Sequence, residues 1–203
     1  MCPWSPSAGL GLSNGYQDAP FVYSVYYLGF TIIAVLLFQH RLRSWHPSVH
    51  GVVPILTVLG LIAGFTLVVL PALPEIDLTL APLDPPEFMF ADAVCYIPKS
   101  FEILFQQVLI LTIVLIFHAF RWQTLQLGLL TAARFGLFHL TLIFNNVTVL
   151  YVARYTIAAI CFGVVVPNVM LAMRNGATLS YGLHCGFYVA DNILTHFIMA
   201  VPP

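Results

Sequence analysis

The sequence predicts an all-α bundle of about six transmembrane helices, and three observations predict it. Hydrophobic residues fill 60% of the 203 positions and charged residues only 7%, a balance that water does not tolerate on a folded surface. Mean hydropathy is +0.94. The apolar residues also fall into six runs of about 19 to 27 residues, the length that a hydrocarbon core of about 30 Å requires. Lipid is therefore the expected solvent for one transmembrane domain, residues 21–203, behind a flexible N-terminal segment, 1–20.

The six expected spans are residues 21–39, 51–73, 97–120, 125–145, 147–173 and 177–201. The segment before the first is rich in Gly, Pro and Ser and has no basic n-region, so that span reads as a retained helix and not a cleaved signal. A basic cluster closes it: His40, Arg41, Arg43, His46 and His50. In the second span Gly60 and Gly64 form a GxxxG, expected to seat another helix of this chain. The connection 74–96 carries Glu75, Asp77, Asp84, Glu87 and Asp92 among prolines, which predicts a solvated loop with a short interfacial stretch at Phe88 to Phe90. Asn145 and Asn146 separate the fourth and fifth spans, and Arg174, Asn175 and Gly176 the fifth and sixth.

Arg41, Arg43, Arg121 and Arg174 follow the first, third and fifth spans, and the other two connections hold no arginine. The positive-inside rule makes their side cytoplasmic and places both termini and the acidic loop on the non-cytoplasmic side. Seven scattered Lys and Arg residues form no basic stripe, so the lipid bilayer and not nucleic acid is the expected partner. Cys2, Cys95, Cys161 and Cys185 show neither metal-ligand spacing nor a disulfide framework.

Ionisable groups inside spans cost roughly 2.5 to 3.5 kcal/mol each and need a partner or a role. Five stand out: Glu102, Arg134, His139, His184 and Asp191. Glu102 and Gln106 share a face of the third span, and His139 comes to about the same depth on the antiparallel fourth. In the sixth span Tyr181, His184, Tyr188, Asp191 and Thr195 form a polar stripe, expected to face protein, with Gly182 and Gly186 allowing close approach. Depth puts Asp191 level with Glu102 and His139, and His184 deeper. An ion pair with Arg134 or Arg154 is the structural alternative for either carboxylate.

The fourth span reads Phe135-Gly136-Leu137-Phe138-His139, which resembles the FxxxH motif of the CAAX-protease and bacteriocin-processing (CPBP) superfamily of intramembrane proteases. Upstream, Phe101-Glu102-Ile103-Leu104-Phe105-Gln106 is similar to its EExxxR motif, and downstream His184 is similar to the start of its HxxxN motif. The gaps of 37 and 45 residues between Glu102, His139 and His184 fit as well, so the likeness covers about residues 96–201. It implies a glutamate that activates water and histidines that assist and stabilise the oxyanion, with no obligatory metal or other cofactor. The matching catalytic positions are Glu102, His139 and His184. Gln106, Phe135, Tyr188, Asp191 and Asn192 are expected to bind substrate or line the site.

Departures from the motifs leave two registers open. With Phe105 aligned, Phe101 stands at the first glutamate and Gln106 at the arginine; with Glu102 as the first glutamate, Gln106 falls in the Phe position. Tyr188 stands where the asparagine is expected. A fold relative without catalysis, serving as a subunit of a membrane complex, is therefore an alternative to an enzyme acting on membrane peptides. A third reading is haem or pigment binding through His139, His184, His118 and His196.

Overall fold

A computed structural model describes residues 15–44, 52–76, 93–144 and 148–200. These residues form one short and six long helices: α1 (Gly15–Asp18), α2 (Pro20–Ser44), α3 (Val52–Gly64), α4 (Tyr96–Ala119), α5 (Thr124–Leu140), α6 (Val149–Ala172) and α7 (Gly176–Ile198). α3 continues as a π turn, Phe65–Val69, and a 3-10 turn, Leu70–Ala72; α5 continues as a 3-10 turn, Thr141–Phe144. Five stretches are long and apolar enough to cross a bilayer: Pro20–Arg43, Val53–Ala72, Tyr96–Ala119, Thr124–Phe144 and Val149–Ala172. The chain is an integral membrane protein. Its outer face is apolar, with Phe21, Val53 and Val149 each about three-quarters exposed, a surface that only lipid satisfies.

α7 falls short of that apolar standard because its polar stripe points into the bundle. Ser180, Tyr188, Asp191, Asn192 and Thr195 are buried, as the absence of hydrogen-bond partners in lipid requires.

Local chemistry sets the helix ends. Pro98 sits in the first turn of α4, where a missing N–H costs nothing. Thr148 caps α6 by accepting from the Tyr151 N–H at 3.2 Å, and Gln123 with Gln126 forms a capping box on α5. Asn175, in the left-handed region at φ 58°, turns the chain sharply from α6 into α7.

The closest helix contact is α5 on α6. A Cβ on Gly163 would lie 2.5 Å from the Ala132 backbone, and one on Gly136 would lie 2.7 Å from the Ile160 side chain. Small residues therefore let these two backbones meet. Pro167 has no N–H for the Gly163 carbonyl one turn earlier, and Thr131 Oγ1 of α5 donates to that carbonyl at 2.5 Å. The same pair of helices supplies the small residues and the replacement donor.

Two packing expectations are corrected. Among the described residues, a Cβ built on Gly60 or Gly64 meets no neighbouring atom within 4 Å, so the glycine seam lies between α5 and α6 and not at these two positions of α3. Gly182 admits the Val58 side chain, not a backbone, and Gly186 faces open space. A third correction concerns the N-terminus. Residues 15–18 are helical and Tyr16 is 4% exposed, packed edge-on against Tyr23 and Tyr27. Residues 1–14 of the segment expected to be flexible, the Phe88 to Phe90 stretch and Asn145 and Asn146 lie outside the described residues.

Apolar clusters mark the two ends of the bundle. At one end Tyr16, Tyr23, Phe65, Leu70, Cys95 and Tyr96 pack together with Val189 and Ile193. There His196 Nδ1 donates to the Pro74 carbonyl at 2.8 Å, and Ile76 bridges to Ala200. At the other end Leu42, Phe117 and Ala177 join a cluster around Leu115, Leu127 and Met170.

Candidate functional site

α4, α5, α6 and α7 line a cavity of about 550 Å³ that is open on one side. Its wall follows α4 from Lys99 to Ile113, about 21 Å at 1.5 Å per residue. Polar groups gather towards one end: Lys99, Glu102 and Gln106 from α4, His139 from α5, Tyr155 from α6 and Tyr188 from α7. His184 lies further along. The rest is apolar and aromatic, including Leu109, Ile113, Phe135 and Phe162.

Glu102, His139 and His184 thus come from three helices to one chamber. The length of that chamber accounts for His184, which depth alone set apart from the other two: the cavity runs down the bundle far enough to include it. Gln106, Phe135 and Tyr188 also line it. Asp191 and Asn192 do not, a correction to the expectation that they line the site. The reason is that Asp191 is consumed elsewhere. Its Oδ1 lies 2.8 Å from Arg154 Nε and its Oδ2 accepts from the Tyr155 hydroxyl at 2.7 Å, the structural ion pair that was the alternative for this carboxylate. His118 and His196 do not line the cavity either.

Glu102 is held from three sides. Lys99 Nζ donates to Oε2 at 2.8 Å, Gln106 Nε2 to Oε1 at 2.8 Å, and the Tyr16 hydroxyl also to Oε2. The Tyr16 hydroxyl, its own proton given to the carboxylate, accepts from the Tyr27 hydroxyl at 3.0 Å, and it lies outside the cavity wall, on the α2 side of α4. Burial, with the carboxylate beside it, holds the Tyr16 hydroxyl well above the ordinary tyrosine range, so it stays a donor. Lys99 Nζ also stands 4.4 Å from the Tyr188 ring centre, a desolvated cation on an aromatic face.

The two histidines sit among rings. His139 stacks with Tyr155, centroids 6.2 Å apart and planes 25° apart, while its Nδ1 lies 2.8 Å from the Phe135 carbonyl. His184 stacks with Tyr188 at 5.4 Å and 19° and contacts Phe162 at 4.7 Å. Its Nδ1 is 2.9 Å from Gln107 Nε2. Among the described residues no three of His, Cys, Asp and Glu come together closely enough to hold a metal ion.

Sequence reasoning missed Tyr16, Lys99, Gln107, Tyr155 and Ser180 as neighbours of the site. Lys99 carried a signal, since it stands three residues before Glu102 on one helix face. Tyr16 carried none, for its contact with Glu102 spans 86 residues.

No family model matches the chain, and no curated protein or solved structure does so either. The class that the fold and cavity define is a multi-pass helical membrane protein with a chamber inside the bundle.

Proposed function

We propose that the chain is an intramembrane hydrolase of the CPBP type that cleaves peptide bonds of membrane-associated substrates. The observation that carries this reading is the convergence of Glu102, His139 and His184 on one cavity. Phe101 does not line it and Glu102 does, which favours the register with Glu102 as the working carboxylate. Glu102 takes a proton from a water between it and His139 as the water oxygen bonds to the carbonyl carbon. His184 stabilises the oxyanion. The proton then passes to the leaving nitrogen as the C–N bond breaks. The apolar remainder of the chamber, lined by Leu109, Ile113 and Phe162, receives the substrate side chains.

Orientation follows from the cations. Arg41, Arg43, Arg121 and Arg174 close α2, α4 and α6 or the turns after them, and the Arg134 guanidinium reaches back over the Phe117 ring near the end of α4, 5.9 Å from its centre. This end is cytoplasmic in our reading, and the polar part of the chamber belongs to the non-cytoplasmic half.

A second reading is favoured by one contact set. Both oxygens of Glu102 are occupied, by Lys99, Gln106 and Tyr16, as in a fold relative that keeps the pair for packing and serves as a subunit of a membrane complex. Incubating the purified protein with a library of membrane peptides separates the two. Hydrolysis that Glu102→Gln and His139→Ala each abolish supports the enzyme; a native protein with no hydrolysis sinks it.

A further inference from the structure

Ser180 and Gln107, which the reaction above does not use, form a hydrogen-bonded chain with His184 between α4 and α7. Ser180 Oγ donates to Gln107 Oε1 at 2.7 Å, and Gln107 Nε2 lies 2.9 Å from His184 Nδ1. Ser180 is 0% exposed and Gln107 is buried, so no solvent offers either group another partner. An amide oxygen only accepts and an amide nitrogen only donates. With Oε1 taken by the hydroxyl, Nε2 faces the imidazole as a donor. His184 Nδ1 is then the bare nitrogen, and the ring proton sits on Nε2.

His139 is fixed in the opposite sense. A backbone carbonyl only accepts, so the Nδ1 that lies 2.8 Å from the Phe135 oxygen carries the proton and Nε2 carries the lone pair. No hydrogen bond to either Nε2 is found among the described residues, and both rings line the cavity.

We propose that Ser180 and Gln107 are positioning residues that hold His184 as the Nε2–H tautomer, so that the chamber presents one donating histidine, His184, and one accepting histidine, His139. The pair suits a ligand that offers an acceptor and a donor together, as a secondary amide does with its carbonyl and N–H. This matching rests on the proposed peptidase reading; the tautomers themselves do not. In that reading the donor meets the developing oxyanion and the acceptor meets the proton in transit.

Nitrogen NMR of histidine-labelled protein, with His139→Asn and His184→Asn variants for assignment, reads the tautomers without any substrate. The native protein should show the proton on Nε2 of His184 and on Nδ1 of His139, each favoured at least about tenfold, the worth of one ordinary hydrogen bond. Gln107→Glu, whose carboxylate only accepts, should invert His184 alone. Should that buried charge prevent folding, Ser180→Ala carries the test: it frees the Gln107 amide to turn, and the His184 ratio should fall several-fold while His139 stays unchanged. Native His184 protonated at Nδ1, or a native ratio retained in Ser180→Ala, overturns the proposal. Absence of peptide hydrolysis overturns the peptidase reading and leaves the tautomer result standing.

Discussion

Among the described residues the bundle contains two intramembrane ion pairs, and they are built differently. Arg154 and Asp191 join α6 to α7, with the aspartate side chain 1% exposed, closed off by Tyr155 and away from the cavity wall. Lys99 and Glu102 stand three residues apart on α4 alone, 10% and 17% exposed, and both face the cavity. The first ties helices together; the second supplies charge to a chamber. Their chemistry differs to match. A lysine can release its proton when its partner is lost, whereas an arginine keeps its charge and must be paired.

The largest expected effect therefore falls on the arginine pair. Asp191→Asn leaves Arg154 charged and uncompensated, and we expect a loss of about 3 kcal/mol in stability, read as thermal unfolding in detergent. Arg154→Met with Asp191→Leu should recover most of it. Equal melting of Asp191→Asn and the native protein would break the distinction between the pairs.

Glu102→Gln comes next. The amide still accepts from Lys99 Nζ, which can shed its proton, so the expected loss is smaller, about 1 to 2 kcal/mol. Any hydrolysis should fall by about a hundredfold or more, the usual consequence of losing a general base. A thermal loss as large as that of Asp191→Asn would make Glu102 a second clamp.

Tyr16→Phe keeps the ring contacts with Tyr23 and Tyr27 and removes one donor from the carboxylate. We expect about 1 kcal/mol of destabilisation and faster modification of Glu102 by a membrane-soluble carbodiimide, read by peptide mass mapping. Unchanged labelling would mean that Tyr16 contributes packing only. The smallest effect is expected at Gly60 and Gly64, where alanine meets no neighbour and improves helix propensity: melting should change by less than about 1 kcal/mol, upwards.

Much of this was legible in the sequence, because local patterns fixed it. Apolar run length located the spans, three- and four-residue spacing put Glu102 and Gln106 on one face, and the alternating direction of neighbouring spans brought His139 towards Glu102. The polar stripe of α7 was legible too, as was the arginine alternative for Asp191. Which arginine took it was not, since Arg134 and Arg154 both lie on helices next to one another and only their rotation decides. Contacts that jump between distant segments left no periodic trace. Ser180 reaches Gln107 across 73 residues and His184 reaches it across 77. The two GxxxG glycines of α3 misled for the opposite reason: the motif permits close approach but does not summon a partner.

Tyr16 carries the stretch just ahead of the first membrane helix into the protein's interior. Residues ahead of the first membrane helix are commonly trimmed or replaced by a purification tag when a membrane protein is prepared. Cutting this chain at Pro20 would keep all six long helices and every cavity-lining side chain, yet would take away a hydroxyl bonded to a carboxylate 86 residues downstream. A shortened protein could thus pass every check of folding and still carry an altered Glu102, so preparations of different N-terminal length are different molecules where it matters most.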